Sequence, residues 1–330
     1  VGTHETLLAY LVRRLLENGA NSSFVNRIQD ENVTIEELIA DPVSTLKEHN
    51  TPSSIRQPAD LFQPERVNSA GLDLTDENTL RALAKNLAVP APKLGETGQA
   101  VLNPADHGDV VGHVTFATPA EVAKAVDRAQ AAFADWSARS PSERGALLAA
   151  AADRLEAETP YLLGIIVREA GKTFANAVAE VREAVDFLRY YGAQVSNTFS
   201  NDTHRPLGPV VCISPWNFPL AIFLGQVAAA LAAGNTVLAK PAEETPLIAT
   251  EAVRILHDAG VPADAVQIVM GAGAVGAALV GNDGVRGVMF TGSTEVARLI
   301  QAQLAGRLNP DGQPVPLIAE TGGQNALIVD

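Results

Sequence analysis

Residues 209–219 read Pro-Val-Val-Cys-Ile-Ser-Pro-Trp-Asn-Phe-Pro, and the short apolar run at their start decides the fold. Helical patterns separate this run from later ones, except that a proline- and glycine-rich loop follows the helix predicted at 294–305. Such alternation is typical of right-handed βαβ units, so the sequence predicts an α/β fold on a mainly parallel sheet. The other strand-like runs lie at 235–239, 266–270, 286–290 and 315–319.

Composition narrows the class of protein. The 330 residues are 47% hydrophobic with a net charge of −14, which indicates a soluble globular protein of one large or two ordinary domains. An acidic surface repels phosphate backbones and anionic lipid, so no nucleic-acid or membrane-surface role is expected of this segment. The single cysteine excludes an intrachain disulfide and fits the reducing cytoplasm. The six histidines show no ligand spacing, so no metal site is expected.

The segments upstream of residue 208 are predicted to be mainly helical. A helix is expected at 3–18, and a capping box at 34–37 opens a second, short one. The proline-containing residues 50–72 are typical of a linker, and the alternation at 99–117 predicts a hairpin. One further helix is predicted at 76–88, opened by Thr75, and a long one at 173–196, ending near Gly192. Three more are predicted to start at the N-cap and proline signals at 118–121, 140–143 and 159–160.

Two further stretches bear on where the chain resides. Residues 218–234 are apolar enough to suggest a membrane span, but the stretch is short, contains Gln226 and lies between two strand-like runs. A buried helix is therefore predicted there. The chain begins at Val1 without methionine and ends inside the strand-like run 326–330, which we interpret as a fragment of a longer polypeptide.

Asn217 lies just past the first strand-like run. A fixed amide donor on a carbonyl oxygen that becomes negative during a reaction is worth ~3–4 kcal/mol in known oxyanion holes. Asn217 is therefore a candidate oxyanion donor. The alternative is that its side chain caps the following helix, and taken alone that alternative is the more common one.

Lys240 ends the second strand-like run, and Glu243 follows three residues later. Nucleotides bind at the carboxyl ends of parallel strands, where a cation and a carboxylate can hold the ribose hydroxyls of a nicotinamide dinucleotide. A solvated surface pair is the alternative.

Residues 271–276 match G-x-G-x-x-G after a strand and before a helix, the pattern of a dinucleotide-binding loop. The match is weak, because no clear acidic residue ends a strand some twenty residues further on. Residues 290–297 form the better pyrophosphate site, since Gly292 and the hydroxyl of Ser293 follow a strand at the start of a helix.

Glu320 is a candidate general base. Gly322 and Gly323 predict a tight turn that aims the Glu320 side chain inward, and the alternative is an ordinary surface glutamate. Cys212 is the only thiol of the chain, but its position inside an apolar strand indicates a buried and inert structural residue.

Four segments, 215–219, 240–243, 290–293 and 320–323, follow the order and spacing of the aldehyde dehydrogenase superfamily, which residues 98–330 resemble. The resemblance implies a Rossmann-like NAD-binding domain, with Asn217 as oxyanion donor and Glu320 as general base. It also implies a catalytic domain with a cysteine nucleophile, both of which lie past Asp330. The implied cofactor-binding residues are Ile213, Ser214, Pro215, Trp216, Lys240, Glu243, Phe290, Thr291, Gly292 and Ser293, with Gly273 and Gly276 on a wall of the adenine pocket.

Residues 3–27 resemble the last helix of a flavin-dependent proline dehydrogenase barrel. The resemblance implies that residues 1–49 are the final helices of such a barrel and that 50–97 form a linker and a helix. The implied proline site has Arg13 and Arg14 on the carboxylate, Tyr10 near the ring and Glu17 orienting the arginines. Spacing alone favours a solvated cationic patch on an amphipathic helix.

The two pieces occur in this order in the bifunctional bacterial proline utilisation A flavoenzymes, which the chain resembles. That resemblance implies oxidation of proline to pyrroline-5-carboxylate with FAD, bound mostly by parts of the parent outside this chain, and of glutamate semialdehyde to glutamate with NAD. It implies a cytoplasmic homo-oligomer that takes these small molecules as substrates and contacts the membrane peripherally through a quinone. Without the nucleophilic cysteine, the segment alone is expected to be inactive.

Two alternatives stay open from the sequence. One is a non-catalytic module for nucleotide binding or scaffolding. The other is a fragment of a monofunctional aldehyde dehydrogenase, which predicts no proline-linked helix at 3–27.

Overall fold

The computed structural model describes residues 7, 10–13, 24–41, 43–44, 56–87 and 97–323, without the side chains of residues 24, 25 and 86. The chain divides into two units, Val1–Arg56 and Gln57–Asp330. The smaller unit contains helices α1, Phe24–Arg27, and α2, Ile35–Ile39. The predicted capping box opens α2, because Glu37 N donates to Thr34 Oγ1 over 3.3 Å and Thr34 N donates to Glu37 Oε2 over 3.3 Å.

The larger unit starts earlier than the predicted boundary at residue 98, because part of the predicted linker packs onto it. Asp186 accepts hydrogen bonds from Arg66 Nη1 at 2.6 Å, from Ser69 N at 3.1 Å and from Ser69 Oγ at 2.7 Å. Asn68 and Ser69 of this segment are buried. Polar bonds of this kind fix a proline-containing segment that has few apolar side chains to bury.

The helices of the larger unit lie mostly within a few residues of their predicted bounds. Helix α3 is opened by Asp76 and not by Thr75, since Thr79 N donates to Asp76 Oδ2 at 3.0 Å. The longest helix continues through Gly192 to Thr198, because Gly192 lies against Gly145 where two helices approach closely. The helices are α3 Glu77–Leu87, α4 Pro119–Ala138, α5 Pro141–Ala157, α6 Thr159–Ala170, α7 Phe174–Thr198, α8 Ala221–Ala232, α9 Pro246–Asp258, α10 Gly273–Gly281 and α11 Thr294–Leu304.

Two sheets complete the unit. The predicted hairpin is antiparallel, and its residue Asp109 accepts two hydrogen bonds from the Arg168 guanidinium of α6. The second sheet has five parallel strands in the order β5-β4-β3-β6-β7. The strands are β1 Gln99–Asn103, β2 Asp106–Val114, β3 Pro209–Ile213, β4 Thr236–Lys240, β5 Val266–Ile268, β6 Gly287–Gly292 and β7 Leu317–Thr321.

Helices cover both faces of the parallel sheet. Successive residues of β3 enter different apolar clusters: Val211 packs with α4, α10 and α11, whereas Val210 and Cys212 pack with α5, α7, α8 and α9. This alternation follows from the two-residue period of a strand, and burial on both faces explains why β3 is a continuous apolar run. The expected α/β fold with a parallel Rossmann-like sheet is therefore confirmed.

Candidate active site

The carboxyl edge of the parallel sheet gathers most of the predicted site residues. The strand order reverses at β3, since β4 and β5 lie on one side of it and β6 and β7 on the other. Open α/β sheets bind ligands in the crevice at such a reversal point. Register places Ile213 between Lys240 of β4 and Phe290 of β6, and it pairs Thr291 with Glu320 of β7.

Lys240 is not the solvated surface residue that the alternative required. Its side chain is only 5% exposed, and its Nζ donates to Pro241 O at 3.0 Å and lies 3.7 Å from Glu243 Oε2. Burial lowers the pKa of the Lys240 ammonium, and the nearby Glu243 carboxylate opposes that effect. A desolvated ammonium beside a half-exposed carboxylate offers both a donor and an acceptor to a diol.

The glycine-rich residues 271–276 follow the edge strand β5 and lead into α10. A Cβ on Gly276 would lie 3.5 Å from Lys240 Cδ, so this glycine packs against the stem of that lysine. A Cβ on Gly273 would meet no described atom within 4 Å. The loop therefore flanks the site, as a pocket wall would.

The end of β6 has the better position for an anion, because β6 is the strand next to β3 at the reversal point. Ser293 is the N-cap of α11, and its Oγ accepts from Val296 N at 3.2 Å. Thr291 Oγ1 accepts a hydrogen bond from Gln226 Nε2 at 2.9 Å, which ties α8 to this strand end. Gln226 was visible in the sequence as a polar residue in an apolar helix, and buried polar groups need such partners.

The loop between β3 and α8 carries Asn217 at the surface, between exposed Trp216 and Phe218. Asn217 does not cap the helix that follows: Leu220 is the N-cap, and the amides of Leu220 and Ala221 donate to Glu180 Oε2 at 3.2 and 2.9 Å. The side chain of Asn217 is thus not committed to the helix end.

Several polar atoms behind this edge are buried without a hydrogen-bond partner among the described residues. They are Ser214 Oγ, Gln226 Oε1 and Thr245 Oγ1. Ser214 N itself donates to Lys240 O at 3.2 Å, so the Ser214 hydroxyl lies beside the end of β4. Unpartnered buried polar atoms are uncommon, and at a crevice they are compatible with a polar ligand.

Glu320 lies within β7 and is exposed. The predicted tight turn at Gly322 and Gly323 is not what orients it, because neither glycine is in a turn and strand pairing with Thr291 sets its direction. Glu320 nevertheless shares the carboxyl edge of the sheet with the other candidates.

Cys212 is buried, and burial raises the pKa of its thiol well above the usual range. The predicted burial is confirmed. Within the described ranges, no group of three histidine, cysteine, aspartate or glutamate side chains could hold a metal ion. The described helices include none with the length and apolarity to cross a membrane, and the apolar stretch at 218–234 contains the buried helix α8.

The candidate proline site falls in the smaller unit. Tyr10 and Arg13 lie in a helical stretch, and both are exposed. Arg14 and Glu17 lie outside the described residues.

Sequence reasoning missed two buried glutamates. Glu180 of α7 accepts the two amides at the start of α8 that are described above. Glu169 of α6 does so at the start of α9, where it accepts from Leu247 N at 2.6 Å and from Ile248 N at 2.9 Å. Burial raises the pKa of Glu169 to about 7. A glutamate in an amphipathic helix carries no signal for a partner some forty or more residues away, so neither contact could be read from spacing.

Comparison with known proteins defines the class. Residues 91–330 match the aldehyde dehydrogenase family, and the chain belongs to that family. Residues 1–27 match proline dehydrogenase, which counts against a monofunctional aldehyde dehydrogenase. The bifunctional protein PutA of Klebsiella aerogenes is 57% identical over 100% of this chain and 27% of that protein. PutA of Rhizobium meliloti is 60% identical over 100% of this chain and 28% of that protein.

Solved structures give the same result. Proline utilization A of Bradyrhizobium japonicum superposes with a TM-score of 0.80 at 45% identity, over 98% of this chain and 32% of that one. A 1-pyrroline-5-carboxylate dehydrogenase from Thermus with bound NAD superposes with a TM-score of 0.70 at 31% identity, over 83% of this chain and 56% of that one. The chain thus spans little more than a quarter of the length of the curated PutA relatives.

Proposed function

We propose that this chain is part of a bifunctional enzyme of proline catabolism that oxidises proline to pyrroline-5-carboxylate and glutamate semialdehyde to glutamate. The observation that carries the proposal is the buried Lys240 beside Glu243 at the reversal point of the sheet, with the Asn217 loop on the neighbouring strand. The matches to aldehyde dehydrogenase and to proline dehydrogenase in one chain support it.

The residues at the sheet edge fit a nicotinamide dinucleotide. Lys240 and Glu243 would bind the ribose hydroxyls, and the amides at the start of α11, after Ser293, would receive the pyrophosphate. The wall from Gly273 to Gly276 would face the adenine, and a Cβ on Gly273 would meet no described atom within 4 Å. NAD, when bound, supplies the hydride acceptor. The bound NAD of the similar Thermus dehydrogenase supports this choice.

The remaining roles belong to side chains of this chain. Asn217 would donate its amide N–H to the carbonyl oxygen as that oxygen becomes negative. Glu320 would take a proton from the water that hydrolyses the acyl-enzyme, which releases the carboxylic acid and regenerates the thiol. The resemblance to the family assigns that thiol to a cysteine past Asp330, so we expect this segment alone to be inactive.

The first activity would use residues 1–49 as the final helices of a proline dehydrogenase barrel, with 50–97 as linker and helix and 98–330 as the NAD-binding domain. Tyr10, Arg13, Arg14 and Glu17 would line the proline site, while FAD would be bound mainly by other parts of the enzyme. We place the enzyme in the cytoplasm as a homo-oligomer that contacts the membrane peripherally through a quinone.

The experiment that tests the second activity is Glu320→Ala in the full-length enzyme. We expect kcat for aldehyde oxidation, followed by NADH absorbance, to fall by ~10²–10⁴-fold, the range of general-base catalysis. NAD affinity, measured by quenching of protein fluorescence, should stay within about twofold, because Glu320 does not contact the ribose pair.

Glu77→Ala is the control, since it removes a carboxylate of α3 that is 89% exposed and should leave both readouts unchanged. A collapse of NAD affinity in Glu320→Ala with normal hydrolysis of the acyl-enzyme would show that the role assigned to Glu320 is wrong.

A further inference from the structure

One buried carboxylate, that of Glu180, links the corner between α6 and α7 to the start of α8. The side chain of Glu180 is 1% exposed and uses both oxygens. Its Oε2 accepts from the amides of Leu220 and Ala221, and its Oε1 lies 2.5 Å from the Nζ of Lys172. A carboxylate at a helix N-terminus is favoured by the free amides and by the helix dipole.

Lys172 adds a second attachment to the same loop. Its Nζ lies 4.4 Å from the centre of the Phe218 ring, a cation–π distance, and its side chain is only 14% exposed. The loop is therefore held at Phe218 by the lysine and at Leu220 and Ala221 by the glutamate.

The attachment points lie on either side of a rigid residue. Pro219 is buried and separates Phe218 from Leu220, and the proline ring fixes its φ angle. Asn217 directly precedes Phe218, so little freedom remains between the clamped atoms and the Asn217 backbone. Helix α8 is also seated closely on α7, since a Cβ on Gly225 would lie 3.0 Å from the Phe187 ring.

We propose that Glu180, with Lys172, is a positioning residue for aldehyde oxidation: it fixes the start of α8 so that the Asn217 amide stays where the oxyanion forms. The inference rests on the proposed function for the role of Asn217. The contacts of Glu180 and Lys172 with residues 218–221, which we call the clamp, rest on the geometry alone. Displacing a catalytic donor by about 1 Å can cost ~10²-fold in rate, so a residue that touches no substrate can still control kcat.

The test uses Glu180→Gln in the full-length enzyme, because this change keeps the shape and removes the charge. We expect kcat for the aldehyde to fall by ~10- to 100-fold, while the Kd for NAD stays within about twofold. Hydrogen–deuterium exchange in peptides spanning 218–222 should become faster, because the amides of Leu220 and Ala221 lose a charged acceptor.

Glu77→Gln in α3 is the control: this carboxylate is 89% exposed and does not contact the clamp, so its loss should change neither kcat nor exchange. Should Glu180→Gln fail to fold, Lys172→Met supplies the same test from the other partner. It should lower kcat and speed exchange in the same peptides.

A double variant separates positioning from mere stabilisation. If Glu180 acts through Asn217, then adding Glu180→Gln to Asn217→Ala should change kcat by less than about threefold, because coupled residues are not additive. Multiplicative losses in the double variant, or unchanged exchange at 218–222 in both single variants, would overturn the inference. If Asn217→Ala keeps the full kcat, the proposed function of Asn217 is wrong, and so is the catalytic part of this inference. Faster exchange at 218–222 in Glu180→Gln would still identify the clamp.

Discussion

Glu169 is a buried glutamate whose ionisation affects the stability of the fold. It is only 3% exposed, and both oxygens accept amides at the start of α9, yet its pKa is raised to about 7 from 4.5 because burial disfavours the charge. A raised pKa means that the folded chain holds the proton more tightly than the unfolded chain does. The stabilisation is therefore fully present below pH 4.5 and is lost as the pH rises to about 7.

We predict that Glu169→Gln flattens this pH dependence. The shift from 4.5 to about 7 corresponds to about 3 kcal/mol of unfolding free energy lost between those pH values. The Gln variant cannot ionise, so its urea midpoint should change less between pH 5 and pH 8 than that of the unmodified protein. Glu77→Gln, at a position whose side chain is 89% exposed, should leave the slope unchanged. Equal slopes for all three proteins would contradict the role of Glu169.

At the scale of elements, a close helix contact joins α5 to α7. A Cβ on Gly145 would lie 2.5 Å from Gly192 O and 2.3 Å from Ser196 Oγ, so the two helices approach where neither has a side chain. Ser196 Oγ donates to Gly192 O at 2.8 Å, which keeps that carbonyl and hydroxyl in place. This contact seats α7, which in turn carries Glu180, Asp186 and Arg189 toward their partners.

We predict that Gly145→Ala destabilises the protein by ~1–3 kcal/mol, because backbone atoms would have to move apart. The gain in helix propensity, about 1 kcal/mol, does not offset that cost. Gly164→Ala in α6 is the matched control, since its Cβ would meet only the flexible end of Leu87 at 3.3 Å. The thermal midpoint should fall for Gly145→Ala and stay constant or rise slightly for Gly164→Ala, where the gain in helix propensity meets little steric opposition. Similar midpoints for the two variants would show that the helices can separate at little cost.

The strands and caps show how much of the secondary structure could be predicted from the sequence. The β3 run was predicted at its observed bounds, because burial on both faces requires a continuous run of apolar residues. The capping boxes at Thr118 and Ser140 were also visible, since donor and acceptor lie three residues apart. The clamp from Glu180 to Leu220 was not, because it joins residues 40 positions apart that no local pattern connects.

At the scale of the whole molecule, the two candidate sites belong to different units of the chain, so they should respond separately to mutation. The positions along the sheet edge could be predicted because parallel strands end together, which puts Ile213, Lys240 and Phe290 side by side. The direction of the Glu320 side chain could not, because pairing with β6 sets it and no feature of residues 320–323 encodes that pairing.

We predict that Arg13→Met combined with Arg14→Met in the full-length enzyme raises the KM for proline at least tenfold, because two cations that would bind a carboxylate are lost. Aldehyde oxidation by the same protein should be unchanged. Arg81→Met, which removes an exposed cation of α3, is the control and should affect neither activity. An unchanged KM for proline would favour the alternative that the arginines form a solvated cationic patch.

The burial of Cys212 has a practical consequence. Because the only sulfhydryl of this chain is enclosed between β3 and the helices beside it, an alkylating reagent can modify it only after that layer opens. The rate at which Cys212 is labelled, followed by mass spectrometry of the peptide that contains it, would therefore report how often the sheet opens. No engineered probe is needed.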